Sequence, residues 1–194
     1  SHVGIISDEI YQHICYVPFT PFRMAAPDLA DRALTVNGVS KSYAMTGWRI
    51  GWGIAPKRLI EAMIAVQGQI TSGASSVSQA AALAALSGDQ QVLAERNDDF
   101  RARRDMVQAA LNATGVLRCG SADGAFYLFP DCTATFGKVT PGGSQIASDA
   151  DFCRALLEVE GVALVPGRAF GVPGHFRLSY AYSRAALVEA CTRI

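Results

Sequence analysis

Residues 33–52 have the sequence ALTVNGVSKSYAMTGWRIGW, in which Lys41 stands among small and aromatic residues. The apolar run 33–36 predicts a short strand, and Asn37-Gly38 is a dipeptide typical of strand ends. We therefore expect Lys41 to follow a strand end directly and to be partly removed from water. Desolvation lowers the pKa of an amine, and a neutral amine can condense with an aldehyde cofactor. The alternative is an ordinary solvated lysine.

A carboxylate and a phenol follow an earlier strand. Residues 3–7 form an apolar run that ends at Asp8, which is typical of a buried parallel strand whose carboxyl end faces a crevice. A buried carboxylate there can keep the nitrogen of a pyridine cofactor protonated, so that the ring accepts electrons. Tyr11 lies three residues further on and can hydrogen-bond a ring hydroxyl.

Two arginines lie among apolar neighbours. Arg49 stands eight residues after Lys41, in a run (48–55) that predicts a strand, and its guanidinium matches a phosphate ester. We expect such an anchor rather than a surface ion pair, because charged side chains are rare in apolar strands. Arg177 stands in a second predicted strand, 175–182. Its partner is either a substrate carboxylate or a structural Asp or Glu.

Composition excludes several classes of function. Seventeen basic residues balance seventeen acidic ones, so we expect neither a nucleic-acid nor a membrane-surface partner. No apolar run is long enough to span a bilayer. The three histidines have no metal-ligand spacing and the five cysteines form no Cys-x-x-Cys pair, so we expect no metal site. Buried, reduced thiols indicate a cytoplasmic protein.

The periodicity predicts an α/β chain with two domains, one at 1–88 and one at 89–194. The first ends in two helices, and a long helix opens the second, which continues as an α+β unit. Helices are predicted at 56–69, 76–86, 90–113, 149–160 and 183–194; the later strands at 124–130, 162–165 and 175–182; and loops at 20–31 and 133–148.

The motifs of this chain, taken together and in order, closely resemble those of the aminotransferase class I/II family, of the aspartate aminotransferase type with fold type I. The resemblance covers essentially the whole chain and corresponds to the C-terminal half of the family. It implies the end of a large, mostly parallel cofactor-binding domain and a smaller α+β C-terminal domain. The matching motifs are Ser7-Asp8-Glu9-Ile10-Tyr11, Val36-Asn37-Gly38-Val39-Ser40-Lys41, Ala44-Met45-Thr46-Gly47-Trp48-Arg49-Ile50-Gly51-Trp52, Gly124-Ala125-Phe126-Tyr127, Gly161-Val162-Ala163-Leu164-Val165-Pro166-Gly167 and Phe176-Arg177-Leu178-Ser179-Tyr180.

The resemblance also implies a cofactor, pyridoxal 5'-phosphate, and a role for each candidate residue. Lys41 would hold the cofactor covalently and carry a proton to and from the substrate Cα. Asp8 would pair with the pyridine nitrogen, and Tyr11 with the ring hydroxyl. Arg49 would bind the phosphate, and Arg177 the carboxylate of an amino-acid substrate. The implied reaction moves an amino group between an amino acid and a 2-oxo acid, in a homodimer.

Two departures from the family pattern bear on these expectations. Gly38 stands three residues before Lys41, where many relatives have a serine that helps to bind the phosphate. The family's glycine-rich phosphate loop, its ring-stacking aromatic residue and an asparagine all precede the strand that ends at Asp8. We therefore expect this chain to be a fragment of a larger enzyme. A lyase or decarboxylase on the same scaffold, and an inactive fragment, stay open as alternatives.

Overall fold

A computed structural model describes residues 3–194; Ser1 and His2 lie outside the described residues. The chain divides into two compact units, one extending to Asn97 and the other covering Asp98–Ile194. This division falls inside a long helix, nine residues after the predicted domain boundary at 88. The assignment of 1–88 to a cofactor-binding domain stays a prediction.

The first unit contains a three-stranded sheet in the order β1-β2-β3. Strand β1 pairs in parallel with β2, as the sequence predicted, and β2 pairs antiparallel with β3. The register places Asp8 opposite Val36 and Gly38 opposite Gly51. The strands are β1 (Ile5–Asp8), β2 (Ala33–Gly38) and β3 (Gly51–Ile54).

Two predictions for this unit are wrong in part. Residues 20–31, predicted as a loop, contain the short helix α1 (Phe22–Ala25) and the 3-10 helix Pro27–Arg32. A proline precedes or opens each of them, because its fixed φ suits the first turn of a helix. The strand predicted at 48–55 begins only at Gly51, since a 3-10 turn occupies Thr46–Trp48.

The predicted helices of the first unit are present within two residues of their expected ends. Helix α2 (Lys57–Ile70) has no buried residue, and Ile64 and Ile70 are 64% and 74% exposed. Ile6 on β1 is exposed as well, at 73%. Apolar side chains therefore face outward from both the sheet and the helix of this unit. The other helices are α3 (Ser76–Ser87) and α4 (Gln91–Ala113), which runs on into the second unit.

The second unit is the predicted α+β layer, with an antiparallel sheet in the order β4-β6-β5. Phe176 and Tyr180 are fully buried in its core, together with Val107 and Leu111 from α4. The Tyr180 hydroxyl donates to the Ala125 carbonyl at 3.0 Å. The elements are β4 (Tyr127–Leu128), α5 (Asp149–Glu160), β5 (Val165–Pro166), the 3-10 helix Gly167–Phe170, β6 (Phe176–Ser179) and α6 (Arg184–Arg193).

All three of its strands are shorter than predicted, and β6 covers only Phe176–Ser179 of the predicted range 175–182. The other two have local reasons. Ala125 has a left-handed backbone (φ 59°), which delays β4 until Tyr127. The backbone N–H of Val162 bonds the Leu156 carbonyl of α5 at 3.0 Å, so this residue belongs to the helix exit rather than to β5. The predicted loop at 133–148 is broken only by the 3-10 turn Thr133–Thr135 and one isolated bridge.

No disulfide joins any of the five cysteines, all of which lie in the described part of the chain. Burial raises the pKa of Cys119 and Cys132 to about 11 and that of Cys153 to about 12. Within residues 3–194 no group of three His, Cys, Asp or Glu side chains could hold a metal ion. No helix in that range is both long and apolar enough to cross a membrane.

Candidate active site

The strands of the first unit bring three candidate residues to one edge of the sheet. Because β1 and β2 are parallel and end together, Asp8 and the residues after Gly38 leave the sheet on the same side. Strand β3 is antiparallel, so Arg49, just before its first residue, lies at that edge too. Lys41 lies between Gly38 and Arg49 in the sequence, in the loop that joins β2 to β3. The register thus places Asp8, Lys41 and Arg49 in segments that leave or enter the sheet at the same edge.

A closed loop, residues 39–50, carries Lys41 and Arg49. The N–H of Val39 donates to the Ile50 carbonyl at 3.3 Å, which joins the two ends of the loop. Inside it, the Val39 carbonyl accepts the N–H groups of Tyr43 and Met45 at 3.3 and 3.4 Å. The loop is therefore held by backbone bonds on both sides of Lys41, which restricts where the amine can point.

Gly38, immediately before this loop, has no room for a side chain. A Cβ atom there would lie 2.7 Å from the Ile50 carbonyl oxygen and 3.1 Å from the Gly51 Cα. Both contacts are with backbone, which cannot yield without breaking the pairing of β2 with β3. The serine that the family resemblance suggested for this position is thus disfavoured here by the packing of the two strands.

Lys41 is half-buried, and its neighbour Ser42 is buried at 4% exposure. The Ser42 carbonyl accepts Nη1 of Arg96 at 3.2 Å, which fixes the backbone just after the lysine. The Ser42 hydroxyl has no hydrogen-bond partner within residues 3–194. A buried hydroxyl without a partner lowers the stability of the fold. The Ser42 hydroxyl can therefore still form a hydrogen bond with a polar group of a ligand.

Asp8 is exposed, so the prediction of a buried carboxylate at this position is wrong for the chain as described. Its Oδ1 accepts the Ile10 N–H at 3.1 Å, which orients the carboxylate at the end of β1. The buried acid is its neighbour Glu9, at 5% exposure, whose Oε1 accepts the Phe22 N–H at 2.8 Å and the Ser7 hydroxyl at 3.2 Å. Glu9 is therefore a structural residue that the sequence did not single out.

Tyr11 is half-buried in the turn that follows β1. Its carbonyl accepts the Ile14 N–H at 2.8 Å, while the Glu9 carbonyl accepts the Gln12 N–H at 2.9 Å. These two bonds coil the chain back at the sheet edge directly after Asp8. The turn that carries Tyr11 thus lies at the same edge of the sheet as Asp8.

Arg49 does not lie in a strand, which corrects the prediction made for it. It is exposed and has a left-handed backbone (φ 56°, ψ 45°) at the end of the 3-10 turn Thr46–Trp48. Its Nη1 donates to the Thr46 carbonyl at 2.8 Å. Turn geometry and this bond, rather than burial in an apolar strand, hold the guanidinium, and an exposed guanidinium is available to an anion.

Arg177 lies on β6 in the second unit and is half-buried. Its guanidinium carbon is 4.6 Å from the centroid of the Tyr127 ring and 4.7 Å from that of Phe170. Within residues 3–194 no Asp or Glu forms an ion pair with it, so the structural ion pair considered from the sequence is not formed there. Phe170, which ends the 3-10 helix Gly167–Phe170, was not singled out by any sequence pattern.

The donor groups at the sheet edge fit the cofactor that the family resemblance implies. Pyridoxal phosphate requires an amine for its aldehyde, a carboxylate for its ring nitrogen and a cation for its phosphate. Lys41, Asp8 and Arg49 provide these three groups from one edge, and the partnerless Ser42 hydroxyl adds a hydrogen-bonding group beside the lysine. Gly38, in contrast, offers no phosphate ligand other than its backbone.

Comparison with known proteins now decides the family. The model of the family described as aminotransferase class I and II matches residues 1–194. The chain belongs to this family. It is 53% identical over 196 aligned residues to an aspartate aminotransferase of Rhizobium meliloti (strain 1021), covering 100% of this chain and 48% of the relative. It is 49% identical over 195 residues to a probable aspartate/prephenate aminotransferase of Rhizobium leguminosarum bv. phaseoli, covering 99% and 48%.

A crystal structure of the aspartate aminotransferase from Rhizobium meliloti has the same fold, with a TM-score of 0.95 at 52% identity. The match covers 99% of this chain and 48% of that one. The chain thus spans about half the length of the curated relatives that it matches. Both the family and the fold class expected from the sequence are confirmed.

Proposed function

We propose that this chain carries the lysine of a pyridoxal-phosphate-dependent aminotransferase, which moves an amino group between an amino acid and a 2-oxo acid. The observation that supports this most is the strand register, which puts the segments carrying Asp8, Lys41 and Arg49 at one edge of the sheet. The names of the relatives support transfer over a lyase or decarboxylase reaction, and favour aspartate as the amino donor to test first.

Pyridoxal phosphate, when bound, supplies an aldehyde that takes up the amino group and a ring that draws electrons from the substrate Cα. The residues of this chain would hold and serve it. Lys41 would hold the cofactor through its Nζ, and the same amine would remove and return the proton at the substrate Cα. The backbone bonds of the closed loop 39–50 fix the segment that carries this amine.

Three side chains would fix the cofactor while Lys41 is released. The Asp8 carboxylate pairs with the protonated ring nitrogen and so favours the electron-poor form of the ring. The Arg49 guanidinium binds the phosphate with charge-assisted hydrogen bonds. The Tyr11 phenol hydrogen-bonds the ring hydroxyl.

The substrates would be an amino acid and a 2-oxo acid, whose common group is a carboxylate next to the reacting carbon. Arg177 is proposed to bind this carboxylate, since its planar fork matches two carboxylate oxygens. We further propose a homodimer in the cytoplasm, on the basis of the family resemblance. The equal numbers of basic and acidic residues give no support to a nucleic-acid partner.

Half-reactions of the full-length protein test this proposal. The protein is loaded with pyridoxal phosphate and its absorbance is followed on addition of aspartate, and then of a 2-oxo acid after removal of the first substrate. Amino transfer predicts that the spectrum changes and is then restored, with one new amino acid formed per site. Formation of alanine or β-alanine from aspartate in the first step, or a spectrum that no 2-oxo acid restores, would contradict it.

A further inference from the structure

The guanidinium of Arg177 contacts two aromatic rings. Tyr127 is on the neighbouring strand β4, paired opposite Ser179, and Phe170 ends the 3-10 helix that follows β5. The guanidinium carbon is 4.6 and 4.7 Å from the two ring centroids. Both distances are within the range of cation–π attraction. We call Tyr127, Arg177 and Phe170 the aromatic clamp.

The ring of Phe170 is positioned by an ion pair between the buried Asp149 and the half-exposed Arg168. Asp149, which is 1% exposed, accepts the backbone N–H of Arg168 at 2.8 Å and its Nε and Nη2 at 3.0 and 2.8 Å. Arg168 lies within the 3-10 helix Gly167–Phe170, so the carboxylate holds this helix by both backbone and side chain. Phe170 follows two residues later.

A second contact fixes the same 3-10 helix to β6. The Gly167 N–H donates to the His175 carbonyl at 2.7 Å, and a Cβ at Gly167 would lie 2.3 Å from the Val172 carbonyl oxygen. The backbone of the helix is therefore pressed against the residues that lead into Arg177. Phe170 is 46% exposed, yet its ring also meets Phe129 edge to face at 5.9 Å.

The ring of Tyr127 is held by contacts other than those that hold Phe170. Its strand pairs with β6, and its ring packs against Phe126 with the two centroids 4.7 Å apart. Neither ring of the clamp thus depends on Arg177 alone for its position.

Contacts with aromatic rings leave the N–H groups of a guanidinium available to an anion. These groups all lie in the guanidinium plane, so an anion must approach edge-on, in the orientation in which two N–H groups meet the two oxygens of a carboxylate. The rings also remove water from the cation, which strengthens its attraction to an anion. This edge-on approach suits a planar carboxylate.

We infer that Tyr127 and Phe170 are positioning residues, which orient Arg177 so that it receives the substrate carboxylate edge-on. This inference rests on the proposed function, because it takes Arg177 to be the carboxylate receptor. Asp149 and Arg168 contribute by fixing the turn that presents Phe170. The clamp increases binding of every substrate that bears this carboxylate, and leaves the proton transfer at Lys41 unchanged.

Steady-state kinetics of the full-length protein test the clamp. Phe170→Leu and Tyr127→Leu are expected to raise the KM of both the amino acid and the 2-oxo acid about three- to tenfold, the size of a lost cation–π contact. The kcat should change less than about twofold, because uniform binding is what is lost. Phe170→Tyr and Tyr127→Phe keep a ring and should restore the original KM. Phe136→Leu, another partly exposed aromatic position of the second unit, is the matched control.

A spectroscopic readout locates the effect at Arg177. Stacked rings shift the Nε proton resonance of Arg177 upfield, and this shift should fall in each leucine variant and persist in the two conservative ones. Nitrogen-labelled protein and Arg177→Lys identify the resonance. An Nε proton unmoved by either leucine variant would overturn the clamp.

The two levels of the proposal fail differently. If Arg177→Lys raises both KM values but neither leucine variant does, the clamp is overturned and the role of Arg177 stands. If Arg177→Lys leaves both KM values unchanged, Arg177 is not the carboxylate receptor, and that part of the proposed function fails together with the clamp.

Discussion

The backbone N–H of Val39 donates to the carbonyl of Ile50 at 3.3 Å, so that the residue leaving β2 and the residue entering β3 are joined. The loop between them carries both Lys41 and Arg49. The pairing of β2 with β3 therefore places Lys41 and Arg49 at the edge of the sheet where β1 ends with Asp8. This arrangement leads to specific expectations for variants.

Lys41→Ala should reduce amino transfer by at least about 10²-fold, since proton transfer by a positioned side chain contributes about 10²–10⁴. The rate of 2-oxo acid formation from aspartate in the full-length protein measures this. Lys138→Ala, which changes an exposed lysine in the loop of the second unit, is the control and should keep the full rate. Equal rates for the two variants would show that Lys41 has no part in the reaction.

Arg49→Ala should raise the dissociation constant for pyridoxal phosphate about ten- to a hundredfold. Hydrogen bonds to charged groups contribute about 1.5–3 kcal/mol, and each 1.4 kcal/mol changes an equilibrium tenfold. Equilibrium dialysis of the full-length protein gives the constant. Arg58→Ala removes an exposed arginine from α2 and should leave the affinity unchanged. An unchanged affinity in Arg49→Ala would exclude it as the phosphate ligand.

Gly38→Ser should destabilise the protein by about 1–3 kcal/mol, although a serine there is what the family resemblance suggested. The reason is the 2.7 Å that would separate its Cβ from the Ile50 carbonyl oxygen. Urea unfolding gives the free energy. Gly68→Ala is the control, since a Cβ there meets no atom within 4 Å and a helix gains about 0.5–1 kcal/mol from the exchange. A stable Gly38→Ser protein would show that the two strands can separate.

Asp149 should make stability depend on pH at the acid end. Hydrogen bonds from Arg168 lower its pKa in the folded protein from 3.8 to about 2. A lowered pKa stabilises the fold above pH 4, and this contribution is lost as the pH falls towards 2. We expect on the order of 1–2 kcal/mol, because Arg168 is about half exposed and screened by water.

Urea unfolding of Asp149→Asn at several pH values measures this contribution. The variant should be less stable than the parent at pH 7, and the difference should shrink below pH 4. Asp123→Asn, at an exposed position, should follow the parent at every pH. A difference between parent and Asp149→Asn that stays constant down to pH 2 would contradict the ion pair with Arg168.

Sequence reasoning located elements whose signals are local. Helix α5 was predicted with its observed ends, because Ser148 caps it by accepting the Asp151 N–H and Gly161 ends it with a left-handed backbone (φ 68°). The strand before Lys41 was found in the same way, from an apolar run followed by Asn37-Gly38. Because Lys41 follows this strand, the position of the lysine at the end of β2 could be predicted from residues 33–41 alone.

What sequence reasoning missed depends on conformations and contacts that have no local signal. Arg49 adopts a left-handed backbone that residues other than glycine seldom have, so a strand was predicted there. The aromatic clamp joins residues 127, 170 and 177, which come together only through the pairing of β4 with β6 and the turn before β6. Hydrophobic periodicity carries no information on such a stack.

Covalent trapping tests the central claim most directly. The full-length protein is incubated with pyridoxal phosphate, reduced with borohydride, digested and examined by mass spectrometry. We predict one phosphopyridoxyl group per chain, on the peptide that contains Lys41, with Lys57 and Lys138 unmodified. A label on either of those lysines with Lys41 unmodified, or no label on any of the three, would contradict the account.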